Sequence, residues 1–137
     1  MKTALDSNIL SSLWSAEATA PHVKQQLVAA RAQGSIVICA PVYIELGAHP
    51  LVSHGLVDRL LAEAGIDVEF DFEEAVWRKA AERFAAYAQR RRTSGGGSAK
   101  RLLADFWIAA HALVSADQFL TLEASRYRQD FPELRLS

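Results

Sequence analysis

Ile36-Val37-Ile38-Cys39-Ala40-Pro41-Val42-Tyr43-Ile44-Glu45-Leu46-Gly47 decides the fold, because an apolar, β-type run passes without a loop into a helix. The uninterrupted apolar character of Ile36 to Ala40 suits a strand buried on both faces, as in a parallel sheet. Pro41 fits the first turn of the helix that follows, since its fixed backbone angle is helical and its missing N–H costs nothing there. That helix extends through Gly47 and carries Glu45 one turn in.

The same pattern continues outward in both directions and predicts an α/β protein with a central, mainly parallel sheet covered by helices. On the N-terminal side, Thr3-Ala4-Leu5 is a short strand closed by Asp6, and Ser7 and Asn8 suit a turn into a helix. A helix covers roughly Ala18 to Ala32 and stops at Gly34. On the C-terminal side, a helix from about Val52 to Ala64 ends at Gly65, and Ile66 to Phe70 alternates like a half-exposed strand. Glu73 to Arg92 places Ala75, Val76, Ala80, Phe84 and Tyr87 at helical spacing. Leu102 to Ser115 is then helical, Gln118 to Thr121 a strand, Ala124 to Asp130 a short turn or helix, and Leu134 to Leu136 a last strand. Strand and helix are expected to alternate throughout.

The 137 residues fit one domain, 1–137, and the balance of 50% hydrophobic and 23% charged residues is that of a folded globular protein. A net charge of -1 supplies no global basic field, so contact with nucleic acid has to come from local Arg and Lys clusters. The strongest such cluster is Arg90, Arg91 and Arg92, with Lys100 and Arg101 beyond the glycine-rich segment 93–98. It suits a phosphate grip and a solvated helix end equally well. Cys39 is alone, which rules out an internal disulfide and fits a reducing cytoplasm. Asp6 and Asn8 interrupt what an export signal would need as its apolar part, and no segment approaches the roughly 18 apolar residues of a membrane span.

Right-handed βαβ winding brings every strand end, and the start of every helix that follows a strand, to one edge of the sheet. Asp6 closes the first strand, Glu45 lies early in the helix after the second, Asp105 lies in the first turns of its helix, and Glu123 follows Thr121. All four acids therefore map to the edge where open α/β sheets bind ligands. Any one of them alone is more simply a cap or a solvated charge, so their convergence carries the argument. Carboxylates gathered in one place repel unless a cation sits among them, and an oxygen-only donor set favours Mg2+ or Mn2+ over zinc. Such ions activate water and stabilise phosphodiester displacement, which points to hydrolysis of a nucleic-acid strand. Asp6 and Asp105 are the expected direct ligands, with Ser7, Asn8 and Thr121 bordering them.

Asp117 precedes its strand and belongs to the opposite edge, about 13 Å away for four residues at about 3.3 Å each. Glu123, with one methylene more than Asp, is expected to act through a bound water. His22, His49, His54 and His111 lack ligand-like spacing, and Phe106 and Trp107 are expected to pack in the core.

Four segments carry a family likeness: Leu5-Asp6-Ser7-Asn8, Pro41-Val42-Tyr43-Ile44-Glu45-Leu46, Ala104-Asp105-Phe106-Trp107-Ile108-Ala109-Ala110-His111-Ala112 and Phe119-Leu120-Thr121-Leu122-Glu123. In order and spacing they resemble the signature segments of PIN-domain toxins of the VapC type, over essentially the whole chain and including the closing Phe131-Pro132-Glu133-Leu134. The resemblance implies a PIN-like three-layer α/β/α fold and a metal-dependent endoribonuclease acting on RNA. It also implies a homodimer held inactive by a cognate antitoxin. Asp6, Glu45 and Asp105 match the family's acidic positions; Glu123 departs, because the family generally has Asp there. That departure keeps a second expectation open, a PIN-like binding module weakened in catalysis. A phospho-acceptor signalling domain would need paired acids after the first strand and a Lys near the last, where this chain has Asp6 alone and Arg135.

Overall fold

The computed structural model describes residues 1–96 and 102–137. In chain order the elements are β1 (Lys2–Leu5), α1 (Ser7–Trp14), α2 (Ala20–Gln33), β2 (Ser35–Cys39), α3 (Ala40–Gly47), α4 (His54–Ala64), β3 (Ile66–Glu69), α5 (Glu74–Thr93), α6 (Leu103–Ser115), β4 (Gln118–Leu120) and α7 (Ala124–Arg128). The strands form one parallel sheet in the order β3-β2-β1-β4. The chain steps outward from β1 through β2 to β3, then returns past β1 to β4. This reversal sets the topological switch point between β1 and β4. Right-handed crossovers place the helices of the outward steps on one face and those of the return step on the other, which gives the three layers.

Strand and helix do not alternate singly: each of the three crossovers holds a pair of helices, and the pairs of the second and third are the helices expected from the sequence. The extra element at the N-terminal end is α1, which begins as soon as the Asp6 side chain accepts from Ser7 N and caps it. The expected strand at Leu134 to Leu136 reduces to a single parallel bridge between Leu136 and Phe119. Leu134 N turns back to Phe131 O at 3.2 Å, and the tail meets β4 only at Phe119, whose N donates to Arg135 O at 2.9 Å and whose O accepts from Ser137 N at 3.1 Å. Gly65 ends α4 in the left-handed region at φ 69°, as its place after the helix required. At Gly34 the need is space, since a Cβ there would lie 1.9 Å from Met1 O.

Helices α5 and α6 run antiparallel, as their ring contacts show in order: Phe72 stacks on His111, Trp77 meets Trp107, and Phe84 and Tyr87 meet Phe106. The C-terminal end of α5 therefore lies beside the N-terminal end of α6, where Asp105 stands. Phe106 is buried and also meets Phe131 at 5.9 Å, so one ring ties α6 to α5 and to the tail. His111, buried in α6, hydrogen-bonds Glu69 at 2.7 Å.

Of the expected basic cluster, Arg90 forms an ion pair with the buried Asp130 and Arg91 donates to Gly96 O. Lys100 and Arg101 lie outside the described residues. Among the described residues no helix is long and apolar enough to cross a membrane.

Candidate active site

Asp6 occupies the switch point itself. It is buried at 4% exposure, and four donors converge on its carboxylate. Ser7 N donates to Oδ1 at 2.8 Å, while Oδ2 accepts from Tyr127 Oη at 2.8 Å, Thr121 Oγ1 at 2.9 Å and Asn8 Nδ2 at 3.3 Å. Asn8 Oδ1 accepts in turn from Leu122 N at 3.1 Å. Three stretches of chain are thus drawn together by one carboxylate: the β1–α1 junction, the end of β4, and α7. Burial pushes the Asp6 pKa above the ordinary 3.8, although the Tyr127, Thr121 and Ser7 donors and the Arg126 charge all oppose it.

Glu45 on α3 and Asp105 on α6 face the same space. Asp105 is buried in the first turn of its helix, with Arg126 Nη1 3.8 Å from its Oδ1. The Glu45 pKa is raised chiefly by burial; the Ser7 hydroxyl opposes this, and the charges of Asp6 and Asp105 add to it. Glu45 thus lies within electrostatic reach of both Asp6 and Asp105. Glu45 Oε1 is buried without a hydrogen-bond partner among the described residues, an acceptor left for something else to satisfy. Among the described residues no group of three or more His, Cys, Asp or Glu side chains is placed to hold a metal ion.

Glu123 lies at the expected edge, but on its rim. It is the residue before α7, its N–H donates to Thr121 Oγ1 at 3.1 Å, and its half-exposed carboxylate pairs with Arg126. Asp117 sits at the opposite edge, where its N donates to Lys2 O at 2.7 Å and its Oδ2 accepts from Lys2 N at 2.7 Å.

Tyr127 and Arg126 are the site residues that sequence reasoning missed. Burial pushes the Tyr127 hydroxyl pKa well up, helped by the Asp6 charge, so it stays a proton donor to Asp6. The signal was available in their place on the chain, since a helix that starts just after β4 must begin at the site's edge.

A stability test follows from the raised Glu45 pKa. A carboxyl whose folded pKa exceeds its unfolded value contributes stability that is full below the unfolded value and is lost as pH rises through the folded one. Glu45→Gln escapes that loss. Its melting temperature relative to wild type is therefore expected to be higher at pH 7 than below Glu45's ordinary 4.5. The depressed pKa values of Glu69 and Glu133 are common to both proteins and cancel in the difference. A difference that is flat with pH, or one that grows on acidification, contradicts the assignment.

Fold and site together define a parallel α/β domain whose switch-point edge is lined with acids. The family model of the PIN domain matches residues 3–131, and the chain belongs to the PIN-domain family, whose members are generally nucleases. Among solved structures, VapBC-1 from nontypeable Haemophilus influenzae is similar, with a TM-score of 0.66 and 21% identity, over 100% of this chain and 97% of that one. VapBC2 from Rickettsia felis, bound to a DNA fragment from its promoter, has a TM-score of 0.65 and 18% identity, over 100% of this chain and 98% of that one. At such identity these likenesses establish the fold. No curated protein matches the chain in sequence.

Proposed function

We propose that the protein is an endoribonuclease that hydrolyses RNA phosphodiester bonds with Mg2+, or Mn2+ in its place, held at the Asp6, Glu45 and Asp105 edge. The observation that carries this reading is that the charges of Asp6 and Asp105 act on Glu45, one of whose oxygens is buried with no hydrogen-bond partner among the described residues. The donor set is all oxygen, the chemistry that suits a hard divalent cation. A bound ion of this kind supplies Lewis-acid polarisation of the phosphate and a water activated near neutral pH.

The chain's own residues do the rest. Tyr127, Thr121 and Asn8 fix the orientation of the Asp6 carboxylate, so that one ligand is set before an ion arrives. Asp105 and Glu45 come from separate helices, and the charges of Asp6 and Asp105 both act on Glu45.

We propose further that the chain is the toxin of a type II toxin–antitoxin pair, a cytoplasmic homodimer restrained by its cognate antitoxin. The fold likeness to VapBC structures supports the antitoxin.

The direct experiment incubates the purified protein with a mixture of structured and single-stranded RNAs in Mg2+, in Mn2+ and in chelator. Cleavage that needs the ion supports the assignment; no cleavage under any condition removes it. The alternative, a PIN-like binding module weakened in catalysis, draws on the engagement of Glu123 with Arg126. It would bind RNA without cutting it.

A further inference from the structure

Arg126 carries a positive charge into the acid cluster. Its Nη1 lies 3.8 Å from Asp105 Oδ1, and its Nη2 pairs more closely with Glu123 three residues before it. Its charge also favours the ionised forms of Asp6 and Glu45. Desolvation pulls its own pKa down, yet the charges of Asp105, Glu123, Tyr127 and Asp6 leave it raised overall. One guanidinium thus offsets the repulsion among acids that come from four different elements or junctions. The contact with Asp105 is longer than a hydrogen bond, whereas the pair with Glu123 is tight, so Glu123 holds the group and Asp105 only attracts it. The side chain is 43% exposed and can swing outward without stranding a buried charge.

We infer that Arg126 is the resident counter-cation of the acid cluster, latched by Glu123, and that a divalent ion entering the site displaces it from Asp105. This rests on the ion site proposed above. Arg126 then stabilises the ion-free protein and opposes ion binding. By reciprocity, ion binding loosens Arg126. Glu123 influences the ion through Arg126, rather than through the bound water that its position on the chain suggested. When Glu123 no longer holds it, Arg126 moves fully onto Asp105, and the ion has more to displace.

The test is calorimetric titration of the full chain with Mn2+, alongside melting temperatures without the ion. Arg126→Gln is expected to tighten Mn2+ binding on the order of tenfold, the size of one unit charge acting on a divalent ion a few ångströms away in a solvent-screened site. It is also expected to lower the ion-free melting temperature. Arg126→Lys, which keeps the charge, should bind close to wild type, and Arg126→Met gives a second neutral variant if the glutamine form is poorly behaved. Glu123→Gln should weaken binding in the wild-type background and change it by less than about twofold in the Arg126→Gln background, as two residues acting through one another must. Unchanged or weaker Mn2+ binding in both neutral variants overturns the counter-cation. An undiminished Glu123→Gln effect in the double variant overturns the latch. If wild type and every variant fail to bind Mn2+, the ion site itself is wrong and the inference falls with it. If wild type binds and the neutral variants do not respond, only the inference is lost.

Discussion

Asp105→Asn is expected to cut ion-dependent RNA cleavage by several kcal/mol of transition-state stabilisation, roughly 10³-fold or more, while leaving the fold intact. An amide has the size of the carboxylate but is a poor ligand for a hard cation, and the change removes one charge from a crowded acidic edge. The melting temperature should therefore hold or rise. Asp6→Asn is expected to lose cleavage to a similar extent with a different stability signature. Its new NH2 faces Tyr127, Thr121 and Asn8, all of which now donate to that carboxylate. The two hydroxyls can turn to accept, but the Asn8 amide has to be rearranged. Asp117→Asn is the control, because it alters the opposite edge and should leave both cleavage and ion affinity unchanged. Near-normal cleavage by Asp6→Asn and Asp105→Asn together would remove these acids from the chemistry.

Phe106→Ala is expected to have the largest effect on stability. The ring is buried and meets Phe84 at 5.0 Å, Tyr87 at 5.5 Å and Phe131 at 5.9 Å. Its removal leaves a cavity where α5, α6 and the tail join, at a cost of about 3–5 kcal/mol for a buried Phe in a core that relaxes incompletely. Urea unfolding monitored by circular dichroism measures it. A loss below about 1 kcal/mol would mean that this seam is not the core element described. Asp105 is the neighbouring residue on the same helix, so the variant should also weaken cleavage through misplacement of a carboxylate.

Much of this arrangement was legible in the residues themselves. The apolar run into Pro41, the caps at Asp6 and Gly65, and the helical spacing of Val76, Ala80, Phe84 and Tyr87 are local signals, and local signals survive folding wherever tertiary packing agrees with them. The edge assignment of Asp6, Glu45, Asp105 and Asp117 needed only the winding rule. The same rule brings α7 to this edge but does not say which of its side chains turn inward, so the roles of Arg126 and Tyr127 were not legible. They sit on α7, a helix of five residues, too short to show a periodicity that says which side chain turns inward. The partner of Arg90 was hidden for a different reason. Its basic character is plain in the sequence, but Asp130 is 40 residues away, and only the antiparallel packing of α5 on α6 brings the end of α5 to the tail. Leu134 to Leu136 looked like a strand by composition, yet a single residue in register with β4 makes only a bridge.

The central claim is that the acids at the switch point hold a divalent ion, and anomalous diffraction at the manganese edge from crystals grown with saturating Mn2+ tests it most directly. The expected result is a peak at about 2.0–2.2 Å from carboxylate oxygens of Asp6 and Asp105, with Glu45 bound directly or through one water and Arg126 turned away from Asp105. Crystals saturated with Mn2+ that show no peak between Asp6 and Asp105, or a peak only at some other edge of the sheet, would contradict it.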